Sequence, residues 1–269
     1  MSLSLAISPC PNDTFVFHAL VHGLVDGAPP VDVTYADVDV TNTAALDGRF
    51  DLVKVSYAAL PWLLDTYELL PCGGALGRGC GPLVLVRDAA PNDAEALSRI
   101  DGAIVAVPGD RTTAYLLFRL WASGHDPAKI EVVPFHEIMP GVAAGKYDAG
   151  LVIHEARFTY PRFGLTALVD LGEWWERDTG HPIPLGAILA HRERVDATQA
   201  AEWVRTSVRH AWAAPAASEA YVLEHAQEMD ADVVAQHIAL YVNEFTENLG
   251  DEGYAAVRTL LDRAAAAGY

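Results

Sequence analysis

The stretch "AIVAVPGDRTTAYLLFRLW", residues 103–121, decides the fold class. Ile104 to Val107 form a short apolar, β-branched run, Pro108 and Gly109 end it, and from Ala114 to Trp121 apolar side chains return at helical spacing. A strand, a tight turn and a helix in so short a span make half of a βα unit. Runs of the same kind lie on both sides: LSLAIS, VDVTYAD, DLVKVS, PLVLVR, KIEVVPF, AGLVIHE, LTALVDL and PLGAILAH, alternating with helical patterns. The chain is therefore expected to be an α/β protein built on mainly parallel sheet.

So many strands are generous for one small sheet, and "RDAAPNDAEALSRIDG", which follows Val86, reads as a connection into a second lobe. The expected division is residues 1–87 plus 186–269 as a first lobe and 88–185 as a second. From Asp196 onward the chain turns to Ala-rich, acidic helices without a convincing strand, a helical C-terminal region expected to pack on the outside. No solenoid-type repeat or low-complexity linker interrupts this order.

Composition excludes several function classes. With 269 residues, 51% hydrophobic and 20% charged, the chain buries a substantial core. Its formal net charge of -18, from 36 acidic against 18 basic residues, opposes nucleic acid and anionic membranes through like-charge repulsion. A small anionic ligand fits only where the site supplies its own positive potential, from helix N-termini or a few placed cations. Cys10, Cys72 and Cys80 lack the spacing of a disulfide scaffold, which suits a reducing compartment. "MSLSLAIS" carries no basic leader, and no window offers the roughly 18 apolar residues of a spanning helix. The expected location is the cytoplasm.

Four strands end where a polar side chain or a helix start follows at once. LAIS runs into Pro9 to Asp13, VKVS into Tyr57, VAVPG into Asp110 to Ala114, and LVIH into Glu155. In open α/β sheets, ligands bind beyond the carboxyl ends of strands, so the four ends are expected to converge.

In "SPCPNDTFVFHAL", residues 8–20, Asn12, Asp13 or Thr14 can cap a helix starting near Thr14 and stopping at Gly23, with Pro9 and Pro11 stiffening the corner. Capping and lining a binding site both remain open for Ser8, Asn12 and Asp13. Nothing in the sequence lowers the pKa of Cys10 to make it a nucleophile. His18 and His22 share a helix face at i, i+4 but lack a third ligand, so no metal site is expected.

Lys54, one of three lysines, sits in an apolar strand and must reach solvent or meet an anion. Thr112 and Thr113 bring hydroxyls and first-turn amides together, either as a cap or to hold a carboxylate. "GGALGRGCGPLV" feeds a strand rather than a helix, so its glycines fit close backbone approach better than a phosphate loop. His154 closes a strongly apolar strand, and a neutral imidazole is suited to removing a proton near pH 7.

In order and spacing, "SPCPNDTFVFHAL", "KVSYAA", "GGALGRGCGPLV", "VPGDRTTAYLL", "GLVIHEARFTYPRFGL" and "DLGEWWERDTGHPIPLGAILA" resemble the 1,4-dihydroxy-6-naphthoate synthase family of menaquinone biosynthesis, across essentially the whole chain. The resemblance implies a two-lobed α/β fold like the type 2 periplasmic binding proteins, with the active site in a cleft between lobes. It implies a cytoplasmic lyase of the futalosine pathway. This enzyme cleaves cyclic dehypoxanthinyl futalosine to 1,4-dihydroxy-6-naphthoate and releases a three-carbon fragment, dihydroxyacetone, without metal or organic cofactor. By motif position, His154 is the implied general base. Lys54, Val55, Ser56, Thr113 and Ala114 are the implied substrate contacts, with Thr112, Ser8, Asn12 and Asp13 beside them. Two alternatives carry the same architecture: a small-molecule carboxylate-binding protein and the sister chorismate dehydratase.

Overall fold

The computed structural model describes residues 2–90, 92–226 and 230–269, so Pro91 of the expected connecting stretch and residues 227–229 of the helical region lie outside the description. The chain divides into two units: Met1–Gly77 with Pro184–Val257, and Arg78–Ile183 with Arg258–Tyr269. Against the expected span of 88–185, the second unit thus begins earlier and takes in the C-terminal end of the chain. The stretch after Val86 is internal to it.

The first unit contains β1 (Leu3–Ile7), α1 (Pro11–Val21), β2 (Val31–Tyr35), α2 (Val38–Leu46), β3 (Leu52–Ser56), β4 (Tyr67–Leu69) and β5 (Ala75–Gly77). The second contains β6 (Leu83–Val86), α3 (Asp93–Ser98), β7 (Ile104–Val107), α4 (Thr113–Trp121), β8 (Lys129–Val132), α5 (Phe135–Ala143), β9 (Ala149–Val152), α6 (Ala156–Thr159), β10 (Thr166–Asp170) and α7 (Leu171–Thr179). The chain then returns through β11 (Ile183–His191), α8 (Ala197–Ala213), α9 (Glu219–His225), α10 (Ala231–Tyr241) and α11 (Glu244–Glu247) to α12 (Gly250–Ala266).

The sheet orders are β2-β1-β3-β11-β4, with β5 added on β11, and β10-β6-β9-β7-β8. In each, a parallel trio (β2, β1, β3 or β8, β7, β9) is joined by a strand running the other way, β11 on β3 and β6 on β9, with β10 antiparallel to β6 beyond. The sheets are therefore mixed rather than mainly parallel. Position in the sheet sets burial. Central β3 is buried at every residue, whereas edge strand β2 alternates, with Asp32 and Thr34 exposed.

Helix α1 is buried from Pro11 to Leu20 and so shows no amphipathic pattern. Its cause is α8, α9 and α10, which pack against it and make the helical region part of this unit's core rather than an outer layer. Ser207 of α8 donates from its hydroxyl to the Val16 carbonyl (2.6 Å) and accepts the Leu20 amide (3.2 Å), entering the backbone ladder of α1. In the second unit, Gly150 lets α5 lie directly on β9. A Cβ there would stand 2.6 Å from Ile138 and 2.7 Å from Val142.

Candidate active site

In the first unit β1 and β3 are parallel neighbours, with Leu5 opposite Leu52 and Ala6 opposite Val53, so β3 runs on past the end of β1 toward Ser56. Beyond β1, α1 starts at Pro11 with Cys10 as its N-cap and no side-chain cap. Proline at the first helical position is already set for helix and gives up an amide that would have no partner, so the helix begins three residues earlier than Thr14. Asn12, Asp13 and Thr14 therefore fall inside the first turn instead of preceding it, which leaves their side chains for other work.

Asp13 is almost completely enclosed at 1% exposure. It accepts the Ser8 amide (3.1 Å), the Ser8 hydroxyl (2.7 Å) and the Asn12 side-chain amide (2.8 Å), and it pairs with the Lys54 ammonium. The charge of Lys54 is met by this carboxylate rather than by solvent, as a buried ammonium requires. Gly186 of β11 makes room for the lysine: a Cβ there would come within 2.9 Å of Lys54 Cε. Val55 is wholly buried in β3.

Ser56 is held twice by Asn42 of α2, which accepts the Ser56 amide (2.8 Å) and donates to Ser56 Oγ (3.1 Å). That bond occupies one lone pair of Oγ and leaves its O–H able to donate. Asn42 and His237 are partners of the candidate site residues that the sequence reading did not single out. His237 of α10 lies with Nε2 2.9 Å from Asn12 Oδ1.

In the second unit the ends of β7 and β9 are likewise parallel neighbours, with Val105 opposite Ala149. Thr112 is the N-cap of α4; its hydroxyl donates to the Gly109 carbonyl (2.9 Å) and accepts the Tyr115 amide (3.1 Å). That hydroxyl does the work of a cap. Thr113 and Ala114, both buried, open the helix.

His154 follows β9 by two residues and is partly buried. Its φ of 56° is the one positive value at a non-glycine among the described residues. A side chain in the left-handed region costs about 1 kcal/mol or more and persists only where its surroundings impose it. Here the His154 carbonyl accepts the Arg157 amide (3.4 Å), and the Phe135 ring stands edge-on at 5.8 Å. The Arg157 guanidinium pairs with Asp170, whose other oxygen caps α7 through the Gly172 (2.8 Å) and Glu173 (3.2 Å) amides. Burial pushes the Asp170 carboxyl up, against the pull of Arg157 and the two amides.

The four strand ends thus form two neighbouring pairs, each within its own sheet. The glycine-rich segment brings backbones together as expected: a Cβ on Gly81 would lie 2.2 Å from the Gly172 nitrogen, and one on Gly74 2.5 Å from the Gly186 carbonyl. The His18 and His22 rings lie 4.4 Å apart, tilted by 34°, and His22 Nδ1 donates to the His18 carbonyl (2.9 Å). Among the described residues no group of His, Cys, Asp or Glu is arranged to hold a metal ion, and no helix is long and apolar enough to cross a membrane.

Residues 3–266 match the family model described as menaquinone biosynthesis. A protein of Streptomyces coelicolor named 1,4-dihydroxy-6-naphthoate synthase is 61% identical, the alignment covering 99% of this chain and 94% of that protein. Its namesake in Thermus thermophilus is 48% identical over 99% of this chain and 95% of its own length. The alkanesulfonate-binding protein SsuA of Xanthomonas axonopodis pv. citri, bound to MOPS, superimposes with a TM-score of 0.73 at 15% identity, covering 99% of this chain and 93% of SsuA. That likeness shows the fold, which is periplasmic-binding-protein-like. By the reach of the family model and the extent of both identities, this chain belongs to the menaquinone biosynthesis family.

Proposed function

We propose that this enzyme converts cyclic dehypoxanthinyl futalosine to 1,4-dihydroxy-6-naphthoate and a three-carbon fragment, as a carbon-carbon lyase of menaquinone biosynthesis in the cytoplasm. The observation that carries this reading is the nearly full-length likeness to two synthases of that name. The residues supply a consistent chemistry. His154, as a neutral imidazole, takes a proton from the substrate, with the Phe135 ring edge-on beside it. Negative charge that develops as the carbon-carbon bond opens is met at Thr113 and Ala114, where α4 begins and its dipole is positive.

Lys54 has three N–H donors and directs one to Asp13, so the other two serve the substrate carboxylate together with the Ser56 hydroxyl. Ser8, Asn12 and Asp13 set the position of that ammonium, and Val55 fixes the strand that carries it. Thr112 holds the start of α4 in place.

The test is incubation of the purified protein with cyclic dehypoxanthinyl futalosine, reading the ultraviolet spectrum of the naphthoate product. Turnover is expected, with His154→Ala losing at least about 100-fold in kcat while still binding substrate. Near-normal turnover in that variant would remove His154 from its role. Retention of substrate without product would replace the lyase by a binding protein.

A further inference from the structure

We infer that His237, on α10, is a positioning residue for the Lys54 ammonium, acting through Asn12 and Asp13. The inference rests on the reading above, in which Lys54 meets the substrate. The contacts run from His237 Nε2 to Asn12 Oδ1 (2.9 Å), from Asn12 Nδ2 to Asp13 Oδ1 (2.8 Å), and from the same Oδ1 to Lys54 Nζ. All four residues are buried, and His237 is wholly so.

Chemistry fixes the direction of this chain. An ion-paired carboxylate only accepts, so the face that Asn12 turns to Asp13 is its NH2. Its carbonyl oxygen must then face α10, and the ring nitrogen beside it must carry the proton. His237 is therefore the Nε2–H tautomer. Tyr241, one turn further along α10, sets its ring 4.5 Å from the imidazole and restricts its rotation.

Because Asn12 and Lys54 share one oxygen of Asp13, the amide decides where on that carboxylate the ammonium rests, and so where its remaining N–H bonds point. Without the His237 donor the buried Asn12 carbonyl loses its partner and the amide has reason to turn. A residue in the helical region, far along the chain, thereby sets the aim of a lysine on β3.

Two measurements test this. In the unsubstituted protein labelled with nitrogen-15, long-range proton–nitrogen correlation of the imidazoles, assigned by the signals lost in His237→Gln, is expected to show the Nε2–H tautomer. In steady-state kinetics, His237→Leu is expected to raise KM about tenfold with kcat within about threefold, the loss of one directed hydrogen bond. His237→Gln, whose side-chain amide can donate again, should stay within about threefold in both.

An Nδ1–H tautomer, equal KM values for the Leu and Gln variants, or a loss falling on kcat instead of KM would each overturn the inference. If the unsubstituted protein forms no naphthoate, the synthase reading fails by itself. The tautomer still decides the link from His237 to Asn12.

Discussion

Replacing Lys54 by Met, with Asp13 by Asn as its counterpart, probes the first unit most sharply. The methionine keeps the length of the lysine stem, so the change removes charge and donors without opening a cavity. Removing one partner from a buried ion pair costs about 3–5 kcal/mol, because the other charge is left uncompensated. Asp13 would keep three neutral donors, from the Ser8 amide, the Ser8 hydroxyl and the Asn12 amide, which places Lys54→Met at the low end, about 3 kcal/mol. Asp13→Asn strands the ammonium instead and should cost a similar amount.

The double variant has no buried charge left to strand, so it should recover much of the loss, with a coupling of about 2–3 kcal/mol. Equilibrium urea unfolding followed by circular dichroism measures all four corners of the cycle. Lys54→Met costing less than about 0.5 kcal/mol, or a double variant that merely adds the two single losses, would refute the buried pair. Lys54 would then have to lie in solvent, and the chain of contacts reaching it from α10 would have no end point.

Gly81→Ala drives a methyl into the Gly172 backbone, 2.2 Å from its nitrogen and 2.3 Å from its Cα, and neither atom can swing aside. Overpacking of this kind costs about 1–3 kcal/mol, so differential scanning calorimetry should show Tm lowered by at least about 2 °C, and an unchanged Tm would contradict the close approach. Burial, then the neighbouring His22 and His210 rings, hold the pKa of His18 below its ordinary value. The unfolded chain thus takes up a proton that the folded one resists, stability is fully present above about pH 6.5, and it falls as pH drops toward the folded value. His18→Gln should flatten the urea midpoint between about pH 7 and 5.5, and a slope unchanged by that substitution would place the acid sensitivity elsewhere. Burial also pushes the Cys72 and Cys80 thiols up to about 12. Neither should be alkylated by iodoacetamide at pH 8 until urea is added, and peptide mapping that finds either modified in the native protein would show that it is accessible.

Strand positions were legible because β-branched runs between turn residues are a local signal. Short β4 and β5 were not, since three residues each carry too little pattern to be read. Strand direction was not legible either. The residues of β6 and β11 are as apolar as those of the parallel strands, and only the path of the chain decides which way they run. The start of α1 was misplaced for a local reason, the proline at its first position, which outweighs the three polar residues after it.

At the candidate site, residue types were legible and partnerships were not. A lysine in an apolar strand demands an anion, and Asp13 in a buried helical turn demands a donor. Each need could be read alone, but they meet across 41 positions. His237 gave no sequence signal at all. Its partner lies 225 positions away, and α10 carries it among ordinary apolar residues. The strain at His154 was equally hidden, because its flanking residues offer no glycine or asparagine to mark a left-handed turn.

The pairing of Lys54 with Asp13 changes how an acidic chain can recognise an anion. Counting charge alone, the first unit's candidate site gains nothing, because the ammonium and carboxylate cancel. Attraction at a distance would then be weak, and overall charge would oppose it. What remains in the first unit is short-range: an ammonium whose N–H directions are set by Asp13, and a Ser56 hydroxyl held at its oxygen by Asn42. Donors of this kind act only over hydrogen-bond distance and only on a group of matching shape. Recognition built this way discriminates by geometry rather than by sign of charge. In the proposed reading, Asn42 and His237, which bond to Ser56 and Asn12, therefore matter as much as the lysine itself.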